Sequence, residues 1–110
     1  MADDGPRNLG NILASIAGEH AALVTLRLLS HAPAFTSNTL VLGACLQAAG
    51  LSTSSDKLRS MLRRLDADGL LRVTEAKGLI VAELTALGGE VAVGLITAAG
   101  VAKPGPECPY

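Results

Sequence analysis

The sequence predicts a mainly α domain with one small β-hairpin, in the order helix, helix, helix, hairpin, helix. Three observations predict it. Apolar residues recur at steps of three and four along most of the chain, residues 71–84 switch to strand-like patterning, and Gly or small capping residues fall at the joints. A length of 110 residues suits one domain with one modest core. That core must be aliphatic, because Phe35 and Tyr110 are the only aromatic residues. The same scarcity weighs against modules that stack unpaired bases on exposed rings.

Residues 1–7 read as a flexible leader, residues 8–100 as the domain, and residues 101–110, with three prolines, as an extended or disordered tail. Asn8 is placed to cap the first helix, where Leu9, Ile12, Leu13 and Ile16, then Leu23, Leu26 and Leu29, keep helical spacing. Gly18 is a place for a bend, and the helix should end near His31-Ala32-Pro33. Thr36, Ser37 and Asn38 offer caps for a second helix with the stripe Leu42, Cys45, Leu46 and Ala49, and Gly50 suits its left-handed end. A short turn leads to a third helix, capped by Ser52 or Thr53 and running to about Asp68 before Gly69. Its apolar face is Leu58, Met61, Leu62 and Leu65. Residues 71–74 and 79–84 then read as two strands joined through Glu75-Ala76-Lys77-Gly78. Thr85 caps a last helix spanning ALGGEVAVGLITAAG.

That order is a helix-turn-helix followed by a β-wing. The stretch AAGLSTSSDKLRSMLRRLDADGLL resembles the core of winged helix-turn-helix regulators, through Gly50, Ser52, Leu58, Leu62, Leu65, Asp66, Asp68, Gly69 and Leu70. Across nearly the whole chain, LVTLRLLSHAPAF, the central helix-turn-helix, LTALGGEVAVG and GVAKPGP are similar to the small winged-helix proteins of Mu-like prophages. The chain departs from them in a longer, glycine-containing leader. The resemblance implies a phage or prophage origin and a winged-helix fold, and it implies no chemistry.

Six of the nine Lys and Arg lie between residues 57 and 77, although the whole chain has a net charge of -1. DNA affinity comes mainly from cations on phosphates, and base reading needs side chains projecting from an element that fits the major groove. Ser54, Ser55, Lys57, Arg59, Ser60 and Arg63 are therefore the candidate base readers, with Arg64, Arg72 and Lys77 as candidate phosphate contacts. Amides around Ser52 to Ser54 are a further phosphate site. The bland reading is the wet side of an amphipathic helix, with Arg63 and Arg64 paired to Asp66 and Asp68. A pI near 6.0 and Asp56 in the first turn favour it.

The last helix is apolar nearly all round, which asks for burial on more than one side. A second copy of the chain is the expected cover, with Gly88, Gly89 and Gly94 allowing close approach. Leu9, Ile12, Leu13, Ile16, Val91 and Leu95 are the expected homodimer interface, and the competing expectation is that the first helix covers the last.

The sequence points to no catalytic constellation, cofactor, metal site, small-molecule ligand or membrane segment. His20 and His31 lack Cys or acidic neighbours at metal-ligand spacing, and Gly88-Gly89 opens no phosphate loop. Cys45 and Cys108 read as free thiols of a cytoplasmic protein. The apolar stretch of residues 79–102 is broken by Glu83 and Glu90. The expected function is a non-enzymatic, DNA-binding transcriptional regulator. The alternative is the same fold used as a protein-interaction module, with the last helix as its working surface.

Overall fold

A computed structural model describes residues 5–106 and 108–110, with side chains from residue 8 onward. Among the described residues the elements are the helices α1 (Gly5–His31), α2 (Thr39–Ala48), α3 (Ser55–Ala67) and α4 (Ala86–Ala92) and a sheet of β1 (Thr36–Asn38), β2 (Leu71–Ala76) and β3 (Leu79–Leu84). The fold is mainly α with a small antiparallel sheet in the order β1-β3-β2. The expected elements are present in the expected order, with β1 added. Asn38 ends that strand and caps α2, its Oδ1 accepting from the amides of Leu40 at 2.9 Å and Val41 at 3.1 Å. The three residues read as caps thus also form a short edge strand, with Ser37 opposite Ala82.

The joints follow from residue type. Gly50 and Gly69 take left-handed conformations, with φ of 76° and 80°. Each closes its helix with paired bonds: Leu51 N to Leu46 O and Gly50 N to Gln47 O, then Leu70 N to Leu65 O and Gly69 N to Asp66 O. The hairpin loop is shorter than expected. Lys77 and Gly78 alone form it, both with positive φ, the backbone of a tight turn matched to strand twist.

Several boundaries are corrected. Residues 1–4 of the expected leader lie outside the described residues, while α1 begins at Gly5, so Asn8 sits inside the helix rather than capping it. Gly18 does not divide α1, which runs unbroken to His31. The cap of α3 is Ser54, whose Oγ accepts from Lys57 N at 3.2 Å; Ser52 and Thr53 belong to the preceding loop. The last helix stops at Ala92, because Gly94 adopts φ 82° and the bonds Leu95 N to Glu90 O and Gly94 N to Val91 O close it.

The core joins Leu26 and Leu29 of α1 to Leu42 and Leu46 of α2, and Leu58, Leu62 and Leu65 of α3 to Leu71, Ile80 and Ala82 of the hairpin. Val91 and Ala92 complete it. Val91 is 2% exposed, so it belongs to the interior and not to a surface between copies. Gly88 likewise serves its own chain: a Cβ there would run into the Leu70 carbonyl oxygen. Gly94 sits against Pro104. Gly88, Val91 and Ala92 of α4 are therefore buried within the chain, whereas Leu87 is 42% exposed.

By length and composition one helix could cross a membrane, and it is not the stretch first considered. The most apolar 18-residue window within Asn8–His31 has a mean hydropathy of 1.5. The second half of that helix, however, is the centre of the core, with Ala21 to Leu26 all buried.

The described tail residues lie against α1, which the sequence reading did not anticipate. Ala102 N donates to Glu19 O at 3.0 Å, and Arg27 donates from Nε to Tyr110 O at 2.7 Å and from Nη1 to Ala92 O at 2.8 Å. His20 Nδ1 and the Tyr110 hydroxyl lie 3.0 Å apart. Residue spacing carries no signal for contacts that join positions 20 and 110.

Candidate nucleic-acid interface

Helix α3 is the most clearly two-sided element of the molecule. Leu58, Leu62 and Leu65 are buried, and Met61 is half-buried beside them. Ser55, Asp56, Lys57, Ser60, Arg63 and Arg64 are exposed, and Arg59 is half-buried between the two sides. The apolar face is held against the hairpin, which brings the polar face next to the hairpin tip. Arg59 makes the junction, donating from Nη2 to the Gly78 carbonyl at 2.9 Å. One turn further on, Arg63 Nη2 lies 3.3 Å from Glu75 Oε2, with both side chains more than half exposed.

Arg59, Arg63 and the tip residue Lys77 therefore belong to one continuous surface, with Ser55 and Ser60 on the helix beside them. Arg72 is exposed on β2, directly opposite Glu83 of β3. Arg64 turns elsewhere. Its Nη2 donates to Gly100 O at 3.2 Å, and Gly100 is held so close that a Cβ would meet the guanidinium at 3.0 Å. The expected pairs of Arg63 and Arg64 with Asp66 and Asp68 are not the ones formed. Helix neighbours lose to tertiary partners in both cases.

The start of α3 opens on a cleft of about 350 Å³ against α1. Ala14, Ala17 and Gly18 form one wall, and Ser52, Ser54, Lys57 and Arg64 lie on the other. Ser54 is engaged there as the cap of its own helix. The expected dimer residues divide. Leu9, Ile12, Leu13, Ile16 and Leu95 are surface residues, with Leu13 70% and Leu95 75% exposed, while Val91 is interior.

The site can offer cations and hydroxyls to a polyanion from a helix and a tight turn at once. Asp56 and Glu75 lie in the same surface and oppose that use.

No protein-family model matches the chain, and no solved structure matches it significantly. The chain is 35% identical over 71 residues to an uncharacterised protein, gp26, of Escherichia phage Mu. The matched stretch is 64% of this chain and 74% of the phage protein.

Proposed function

The chain belongs to the family of the phage Mu protein gp26, and we propose that it is a winged helix-turn-helix protein that binds double-stranded DNA as a transcriptional regulator. The element order, the short connection over residues 49–54 before α3 and the antiparallel hairpin after it support this reading of the fold. Fold alone does not assign function, so the argument rests on the site.

The observation that carries it is the bond from Arg59 to Gly78, which makes the polar face of α3 and the hairpin tip one surface. A helix of this width fits the major groove, where Ser55, Ser60 and Arg63 reach base edges. Lys77 at the tip and Arg72 behind it then lie along the phosphate backbone. Arg59 acts here mainly as the tie between helix and hairpin. The Arg63–Glu75 pair is exposed, and exposed pairs contribute little, so a phosphate can replace the carboxylate.

Fluorescence anisotropy with duplex DNA from the flanking genome tests the proposal at about 50 and about 200 mM salt. If about four phosphates are neutralised, affinity falls roughly a hundredfold over that range. Arg63→Ala and Lys77→Ala each weaken binding severalfold and flatten the salt dependence. Absence of saturable binding at the lower salt sinks the proposal. It would favour the rival reading, a protein-interaction module, which the apolar surface of α1 supports.

A further inference from the structure

The first half of α1 leaves the domain. From Asn8 to Gly18 only Ala17 is even half-buried, and Leu9, Ile12, Leu13 and Ile16 are 68%, 53%, 70% and 49% exposed. Their spacing of i, i+3, i+4 and i+7 puts all four on one stripe. Propensity does not explain a helix here. Asn8, Gly10, Asn11, Ser15 and Gly18 are weak helix formers, and a segment this short has marginal helicity in water unless something packs on it.

The face is built to be covered. Continued along the helix it reaches His20 and Leu23, beside which residues 103–106 and 108–110 of the chain's own tail lie. The bond from Ala102 N to Glu19 O marks where that cover ends. Beyond it, no other described residue takes over.

We infer that the cover is the same stripe of a second copy, packed antiparallel about a two-fold axis between Ile12 and Leu13. Under that symmetry Leu9 faces the partner's Ile16 and Ile12 faces the partner's Leu13, so every apolar side chain of the stripe meets another. No charged residue lies between Asn8 and Gly18, so an isologous contact brings no like charges together. A nucleic acid or charged peptide finds nothing there to pair with. About two helical turns per chain make a small interface, below the roughly 1,200 Å² total of standard stable complexes, so the dimer is reversible. The inference stands whether or not α3 meets DNA.

Sedimentation velocity of the full chain, from about 1 to about 100 μM, tests it. The expected wild-type mass rises from 11.1 kDa toward twice that value. Leu13→Glu keeps the lower mass throughout, and circular dichroism reports whether its domain remains folded. Leu9→Glu and Ile16→Lys are each monomeric alone, but their mixture dimerises, because the two new charges face each other across the axis. A wild-type chain that stays monomeric overturns the inference. So does a dimer that survives Leu13→Glu, or a mixture that fails to associate.

Discussion

From Ala21 to Leu26 every residue of α1 is buried, including Thr25, whose hydroxyl donates to Ala21 O at 2.8 Å. From Asn8 to Ile16 the same helix has its large apolar side chains about half or more exposed. Both segments carry aliphatic residues at helical spacing, and one unbroken backbone joins them. Periodicity therefore states that a face wants cover; it does not state whether the cover lies in the same chain. The C-terminal half meets the other helices and the tail. The N-terminal half extends past them, in a molecule 49 Å long but only 26 Å thick.

The sharpest way to break that contrast is to truncate a Leu in each half. Leu26→Ala, at a fully buried site, is expected to lower unfolding free energy by about 2–5 kcal/mol in urea titrations. Leu13→Ala at low protein concentration should change it by less than about 0.5 kcal/mol. A large cost for Leu13→Ala in dilute solution would mean that the projecting half is packed within a single chain. A cost that appears only as concentration rises would instead locate the cover between chains.

The two neighbouring glycines of α4 extend the comparison to contacts that spacing could not reveal. Gly88→Ala drives a Cβ into the Leu70 carbonyl and should cost about 1–3 kcal/mol, with a matching loss in thermal midpoint. At Gly89 a Cβ meets nothing nearer than Leu84 at 3.9 Å, so Ala there should stabilise by up to about 1 kcal/mol. Equal effects from the two substitutions would refute the close approach.

What the sequence made legible was local. Gly50, Gly69 and Thr85 sit where helix starts and stops require them, and the α3 stripe alternates wet and dry as its residues demand. Where a residue's role depends on something distant, the reading failed. Val91 reads as available to a second chain, yet it is buried within its own. Gly94 was read as helix interior, although its left-handed conformation ends α4. At the candidate interface, the polar face of α3 was legible from periodicity. The partners of its arginines were not, because Gly78, Glu75 and Gly100 come from other elements.

Arg27 carries the same lesson at smaller scale. It was assigned no role, yet its two bonds fasten the ends of α4 and the tail to α1. Arg27→Ala should lower stability by about 1–2 kcal/mol and expose residues 101–110 to limited proteolysis. Resistance of the tail in that variant would show that Tyr110 and the prolines hold it unaided.

The smallest effect is expected at the surface proposed to meet DNA. Arg63 and Glu75 are exposed, and a double-mutant cycle with Ala at both positions should give a coupling below about 1 kcal/mol that shrinks further in salt. A coupling several times larger would argue that Arg63 is committed to the hairpin and unavailable to a ligand. The small value matters for function. Arg63 is then held near the hairpin by an interaction that a phosphate can outcompete, whereas Arg59 is partly buried and bonded to a backbone carbonyl that does not move away independently of the turn. On that division Arg63→Ala weakens DNA binding with little change in stability. Glu75→Ala strengthens binding by removing an opposing charge. Arg59→Ala reduces both binding and stability, because it loosens the hairpin from α3.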